Sequence, residues 1–464
     1  MKRTNFFKTM LLVGLLGGSS VIISCGGGDD DEPSTIDPTK EIQPEEPTKD
    51  EAMSTEDLKA RLEKIALEFM GEVPSSDFKE ITDFFRSMDP YTEHSYWHSV
   101  EEWGDEIYNA GLKDLGTKGT ETNKEYGWTE IINYTNYEAL VAISNYKGHL
   151  TADKKAEKFN VTDANDLQIS YKDDNNNDCL IKVEVSGKEA KVYLKHSDDY
   201  VDDKSDYKNR TITYGAKRIK EIWAIPENIK VTFTKSGKTV GKITMNTDIS
   251  GLNGTDWDVA KGKLNTTVAF ETATGYKFTF NQLSYEANKK TSASVILSKN
   301  SKNLLSMSIA GDISGIPSYN AAAFFSHDDA AWDGSKADMK SALVKVDVLG
   351  QLQIQGTIKD VRKFSDALQN ASHNDGKEKA FKQYVTEANG YLDVNLFLDN
   401  KNVKQANVSF EPLKDGKYWY SEPVLNFFDG SSFAAFSAFF NKKDFKKVID
   451  KFDSLSDGYS NLGK

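Results

Sequence analysis

The chain has 464 residues, of which 38% are hydrophobic and 28% are charged, and it holds 25 Phe, 20 Tyr and 7 Trp. This composition excludes an intrinsically disordered protein and can supply substantial cores. The formal net charge of −13 repels phosphate backbones, so we expect no nucleic-acid partner. With two cysteines in the whole chain, the fold cannot depend on a network of disulfides.

Residues 1–24 have the pattern of a secretory signal peptide, in which a basic start precedes a short apolar stretch that is too rich in glycine for a permanent membrane span. The run Ile-Ile-Ser-Cys-Gly at 22–26 follows and resembles the lipobox of bacterial lipoproteins. The resemblance implies that Cys25 carries a lipid and attaches the mature chain to a membrane. Cleavage takes the net charge from −13 to −16, because it removes three cations, Lys2, Arg3 and Lys8.

Residues 25–52 form an acidic segment between this cysteine and the body. Positions 26–50 carry nine acidic and two basic side chains, four prolines and no aromatic residue. Because such a composition cannot bury enough apolar surface to fold, we expect a disordered tether. Its start, Gly-Gly-Gly-Asp-Asp-Asp-Glu at 26–32, is similar to the export signal of Bacteroidota lipoproteins. That similarity implies display on the cell surface at the outer membrane, and a lipoprotein facing the periplasm is the alternative.

Residues 53–150 are predicted to be a helical segment rich in aromatic residues, because apolar positions recur at helical spacing after a capping Ser54. An exposed indole ring can stack on the apolar face of a sugar while neighbouring polar groups bond its hydroxyls. We therefore identify a candidate ligand platform here, and burial in a core is the alternative. The candidates are Trp97, Trp103 and Trp128, with Trp332 from an acidic loop as a fourth.

Residues 160–358 are predicted to be a repetitive antiparallel β region. Three segments align without gaps at a spacing of 64 residues, and each reads as strand, polar turn and strand. We expect hairpins with turns near 173–178, 236–238 and 299–302, because a slip of one residue would turn every side chain to the wrong face. The three copies span 165–187, 229–251 and 293–315, and a degraded fourth copy spans 394–410.

Residues 359–464 are predicted to mix helices with further strands, because helical and alternating patterns succeed one another there. The predicted fold class is therefore α+β. It consists of a helical N-terminal segment, a repetitive antiparallel β-hairpin or meander body, and a mixed C-terminal part.

One loop in the first repeat copy has the spacing of calcium ligands. Asp173, Asn175, Asn177 and Glu184 occupy positions 1, 3, 5 and 12 of an EF-hand-like loop. Asp178 stands where that loop requires glycine, and a strand follows instead of a helix. These four residues are weak calcium candidates, and an ordinary hairpin turn is the alternative.

No Gly-x-Ser-x-Gly, P-loop, Cys-x-x-Cys or dinucleotide-binding motif occurs in the chain. The sequence therefore favours a binding protein without a cofactor over an enzyme. Three functions stay open. The first is glycan capture, which the resemblance to Bacteroidota surface lipoproteins implies. The second is a structural or adhesive role with the β repeats as a spacer, and the third is a hydrolase of unknown type.

Overall fold

A computed structural model describes residues 42–48, 51–249, 263–286, 290–312, 340–429, 434–435 and 445–462. Side chains are not described at 117–118, 125, 192–203, 263–265, 281–286, 290–291 and 434–435. Across these ranges the protein has the predicted α+β class, with a large antiparallel meander sheet and a few helices. Residues 1–24, for which a signal peptide is predicted, Cys25 and Trp332 lie outside the described residues.

The N-terminal helices follow the predicted pattern up to residue 110. Ser54 caps the first of them, because its hydroxyl oxygen accepts a hydrogen bond from the backbone N–H of Asp57 at 3.1 Å. Short 3-10 turns at Ser75–Phe78 and Asp89–Thr92 join the three helices. These are α1 (Thr55–Glu72), α2 (Lys79–Arg86) and α3 (His94–Ala110).

The prediction of a helical segment over 53–150 is wrong beyond α3. Two long strands, β1 (Leu112–Glu125) and β2 (Trp128–Ala142), pair antiparallel there. The stretch Ile-Ile-Asn-Tyr-Thr-Asn-Tyr at 131–137 is rich in β-branched and aromatic residues, which suit a pleated surface. It lacks the apolar spacing of a helix face, so pairing with a partner strand determines its structure.

The sheet continues through the centre of the chain. Consecutive strands from β5 onward pair antiparallel, whereas β3 pairs parallel to β5, and β2 pairs parallel to β7. The strands are β3 (Gly148–Asp153), β4 (Lys158–Thr162), β5 (Leu167–Lys172), β6 (Asp178–Asp206), β7 (Thr211–Lys235), β8 (Lys238–Asp248), β9 (Lys263–Thr272), β10 (Tyr276–Glu286), β11 (Lys290–Lys299) and β12 (Lys302–Asp312).

The C-terminal part adds strands to the same sheet and three helices. A helical hairpin stands between β14 and β15, and the last helix packs beside α1. The elements are β13 (Ser341–Val348), β14 (Leu352–Ile358), α4 (Val361–Ser372), α5 (Glu378–Tyr391), β15 (Leu392–Leu398), β16 (Lys404–Asp415), β17 (Tyr418–Phe427), β18 (Ala434–Ala435) and α6 (Lys446–Leu462).

The predicted hairpins are confirmed within the described residues. The pairs β5–β6, β7–β8 and β11–β12 are antiparallel and turn at 173–177, 236–237 and 300–301. The fourth copy forms the β15–β16 pair. Positive φ angles at each turn, for example 61° at Asn176 and 77° at Gly237, explain why Asn, Ser and Gly recur there.

Helices cover one face of the sheet. Buried apolar residues of α1 pack against β15–β17, and those of α2 and α3 pack against β3–β9. The free thiol of Cys179 lies in the second of these cores and is 1% exposed. Within the described residues, no helix combines the length and the apolar character that a membrane span needs.

The prediction of a disordered tether over 25–52 is wrong at its C-terminal end, because residues 42–48 lie against the sheet. The backbone N–H of Ile42 donates to Oε1 of Gln355 at 2.7 Å, and Nε2 of Gln355 donates to the carbonyl of Ile42 at 2.9 Å. Glu45 exchanges backbone hydrogen bonds with Asn402 and Lys404. Gln355 is only 2% exposed, so these bonds satisfy an amide that burial removes from water.

Candidate functional site

Four strand segments form an arm that extends beyond the body of the sheet. Strand β5 pairs with β6 only over residues 178–183 of β6. Strand β8 pairs with β7 only over residues 228–235 of β7. Beyond those positions, β6 and β7 continue as a two-stranded ladder, with β2 parallel to β7 and β1 at the edge. We call β1, β2, residues 187–206 and residues 211–227 the arm. The 14 paired positions of β2 and β7 give it a length of roughly 45 Å.

A small core between β2 and β7 stabilises the arm. Ile132, Tyr134 and Ala216 are at most 5% exposed and contact one another. The guanidinium carbon of Arg218 lies 3.7 Å from the centroid of the Tyr134 ring, and its Nη1 lies 2.9 Å from Oε1 of Glu121. Arg218 on β7 thus contacts β2 through a cation–π interaction and β1 through an ion pair. These contacts stabilise the projecting arm.

The first turn at the end of the arm exposes a tyrosine in an unfavourable backbone conformation. Tyr126 and Gly127 connect β1 to β2 with φ angles of 50° and 82°, the signs of a type I′ turn. Such positions favour Asn, Asp or Gly, and a bulky residue in the left-handed region costs roughly 1 kcal/mol. Tyr126 is nevertheless 93% exposed, so its ring gains no burial that offsets this cost.

The second turn places another exposed tyrosine beside the first. Asp206 accepts hydrogen bonds from the backbone N–H of Lys208 and Asn209 and, at 2.8 Å, from the Asn209 side-chain amide. These bonds, led by that of the Asn209 side chain, hold the pKa of Asp206 below its usual range. The carboxylate therefore stays ionised and fixes the turn, which leaves Tyr207 77% exposed.

Parallel pairing of β2 and β7 brings the two turns together. The backbone N–H of Thr129 donates to the carbonyl of Arg210 at 2.8 Å. The rings of Trp128 and Tyr207 meet edge to face with centroids 5.7 Å apart. A Cβ at Gly127 would lie 3.3 Å from Nη1 of Arg210, so the guanidinium group lies directly beside the first turn.

We call this group the arm tip: Tyr126, Trp128, Tyr207 and Arg210. It offers two strongly exposed phenol rings, a half-buried indole and an exposed guanidinium group on one rigid end. Aromatic faces bind flat apolar surfaces, and a guanidinium group donates hydrogen bonds to hydroxyl or carboxylate oxygens. The arrangement suits the binding of an amphipathic polar ligand.

Of the three tryptophan candidates among the described residues, only Trp128 lies beside other exposed rings. Trp128 lies in the arm tip, whereas Trp97 and Trp103 on α3 are each 9% exposed. Trp103 packs in the core against the ring of Tyr146. An exposed platform built on Trp97 and Trp103 is therefore wrong, because both indoles are buried.

Sequence reasoning missed the other members of the arm tip. Tyr126-Gly127-Trp128 was a readable signal, since a glycine flanked by aromatic residues between two strand-like stretches marks a hairpin turn. The contribution of Tyr207 and Arg210 had no comparable local signal, because it depends on pairing between strands about 80 positions apart.

The calcium candidates do not form a calcium site. The Asp173 carboxylate is 3% exposed and already accepts hydrogen bonds from the backbone N–H of Asn175 and Asn177 and from the Asn177 amide. It also lies 2.7 Å from Nζ of Lys235. Glu184 lies further along β6 and pairs with two lysines, Lys182 and Lys230.

The loop is instead a hairpin turn closed by an ion pair between the buried Asp173 carboxylate and the partly exposed Lys235. Burial opposes ionisation of Asp173, but hydrogen bonds from Asn177 and Lys235 outweigh it and hold the pKa of this carboxyl well below its usual range. Over the part of the chain that the structure describes, no three His, Cys, Asp or Glu side chains are grouped as metal ligands.

Comparisons of the chain with protein-family models, with curated proteins and with solved structures found no match.

Proposed function

We propose that this chain is a lipid-anchored lipoprotein on the bacterial outer-membrane surface and that it captures a glycan, without catalysis, through the arm tip. The lipobox-like run at 22–26 supports the anchor, and the acidic start at 26–32 supports surface display. The observation that carries the binding role is Tyr126, which is 93% exposed and held at a φ of 50°. Strain kept at an exposed aromatic residue points to function, because packing does not account for it.

A glycan fits the arm tip better than a purely apolar ligand. The rings of Tyr126 and Tyr207 can stack on the apolar faces of sugar rings. Arg210 and the exposed turn that contains Asn209 provide charged and polar groups next to them, and these can bond hydroxyls. The arm places these groups far from the helix-covered body, where a large surface polysaccharide has room to approach.

The substitution Tyr126→Asn tests most directly whether the arm tip binds a glycan. Asparagine tolerates the left-handed conformation, so the variant should be as stable as the wild type or more stable by about 1 kcal/mol. Loss of the ring should weaken glycan binding at least tenfold. A glycan array on the purified mature chain should first identify the ligand, and calorimetric titration together with thermal unfolding should then compare the two proteins.

Tyr418→Asn is the matched control, because Tyr418 on β17 is also exposed, at 51%, but lies outside the arm tip. It should leave binding unchanged. An array without a bound glycan, or equal affinities of Tyr126→Asn and the wild type, would overturn the glycan proposal. Binding of a host protein by an intact arm tip without glycan binding would favour the adhesive role instead.

Surface display makes a separate prediction. Replacing the four acidic residues of the export-like start with alanine should leave the protein attached to membranes but protect its body from protease added to whole cells. Immunoblotting of treated cells measures this, with a periplasmic protein as the integrity control. Protection of the wild-type body would show that the surface assignment is wrong. The four residues are Asp29, Asp30, Asp31 and Glu32.

A further inference from the structure

Strands β10–β13 carry a block of eleven apolar side chains on one face. Cross-strand pairing lines these residues up in three rows that run across the strands. The first row lies nearest the helix layer, and the third lies furthest from it. The rows are Phe278, Leu297, Leu305 and Val348, then Phe280, Val295, Met307 and Val346, then Ala293, Ile309 and Val344.

In this part of the sheet, the face with small and polar side chains is buried and the face with apolar side chains is partly exposed. This is the reverse of an ordinary soluble sheet. On the opposite face, small and polar side chains are buried, among them Ser308, Lys345 and Gln355, which are 6%, 6% and 2% exposed. On the apolar face, four large side chains stay accessible, and we call these four the apolar stripe. They are Phe278 at 37%, Met307 at 48%, Ile309 at 43% and Val344 at 37% exposure. Exposed apolar groups in a contiguous set mark a binding surface.

The apolar stripe begins where the helix layer ends. Tyr276 is 2% exposed and packs on the ring of Phe78 with centroids 4.5 Å apart, while Phe278, two residues further on the same strand face, is open. On neighbouring strands, Phe270 packs in the α2–α3 core, and Val348 packs in the α1 core. A helix with its side chains is about 10 Å across, so the helix layer forms a wall along one side of the stripe, and we call the stripe the floor beside this wall.

The chemistry of this floor selects its occupant. A peptide or glycan would bring polar groups that the apolar side chains cannot bond, and burying them there would be unfavourable. The four side chains expose roughly 300 Å² together, well below the approximately 800 Å² per partner that a stable dimer buries. A flat bilayer surface would meet the helix layer before it reached the floor. A single hydrocarbon chain meets none of these obstacles.

We propose that the apolar stripe binds the acyl chain of a single lipid molecule. The chain lies along the floor and contacts Met307, Ile309 and Val344, while the polar head of the lipid stays in water. The flexible thioether of Met307 lets the floor adapt to chains of different shape. This site is separate from the arm tip and does not depend on the glycan proposal.

A fluorescent fatty acid tests the proposal on the whole mature chain, residues 25–464, with Cys25→Ser so that no attached lipid competes. Titration with cis-parinaric acid should give a saturable rise in fluorescence with one site per chain. Val344→Asn should weaken this binding at least tenfold, because it puts a polar amide on the floor. Val161→Asn is the matched control, since Val161 on β4 is also 37% exposed but lies off the stripe, and it should bind like the wild type.

Thermal unfolding should show that both variants are folded, and Ile309→Asn replaces Val344→Asn if that variant unfolds. Absence of saturable binding by the parent chain, or equal weakening by the stripe variant and Val161→Asn, would overturn the proposal. Co-sedimentation with phosphatidylcholine vesicles separates the two lipid sources. Sedimentation of the parent chain that Val344→Asn abolishes would assign the stripe to a bilayer surface and reject the single-chain site.

Discussion

Asp173→Ala should lower the free energy of unfolding at pH 7 by about 3 kcal/mol, because it removes a buried carboxylate together with its hydrogen bonds and its ion pair. The carboxylate accepts three hydrogen bonds within its own turn and lies 2.7 Å from Nζ of Lys235. Its loss leaves the lysine without this partner and the turn without its central acceptor. Urea unfolding followed by circular dichroism would measure the change.

Asp174→Ala is the control, because this neighbouring side chain is exposed, and it should change the stability by less than about 0.5 kcal/mol. Equal effects of the two substitutions would contradict this role of the Asp173 carboxylate. The prediction also has a pH signature. Since the pKa of Asp173 is lowered in the folded state, its contribution is present above the ordinary carboxyl pKa of about 4 and is lost as the pH falls toward the depressed value. The difference between wild type and Asp173→Ala should therefore shrink below about pH 4.

Cys25→Ala should abolish lipid attachment. Cells grown with a clickable fatty acid should label the wild-type chain and leave the variant at background. The variant should accumulate as uncleaved precursor or enter the soluble fraction, because each acyl methylene that is lost removes about 0.8 kcal/mol of membrane affinity. Cys179→Ala provides the control, since that thiol is 1% exposed, and its labelling should match the wild type. Equal labelling of wild type and Cys25→Ala would refute the lipoprotein assignment.

The repeated hairpins could be predicted because their signal is local. Alternating residues on both sides of a polar turn determine which side chains face the core, and turns with Asn, Ser or Gly at positive φ match that alternation. The helices up to residue 110 were equally readable from apolar spacing and the Ser54 cap. These features need no information from distant parts of the chain.

The arm could not be predicted, because it depends on parallel pairing of 129–142 with 211–224. Sequence periodicity identifies a strand but not its partner, so the stretch after α3 was assigned to the helical segment. The same limitation hid most of the candidate site. Trp128 could be selected by residue type, but its neighbour Tyr207 approaches only after the two strands pair. Burial of Trp103 likewise depends on how α3 packs on the sheet.

The contact of residues 42–48 with the sheet determines where mechanical tension enters the molecule. A pull on the N-terminal end is carried first by the paired hydrogen bonds between Ile42 and Gln355 and then by those that Glu45 makes with Asn402 and Lys404. Only after these bonds break would the load reach α1. Drag on a captured ligand would therefore stress β14–β16, and the helix layer would bear force only after this attachment had yielded.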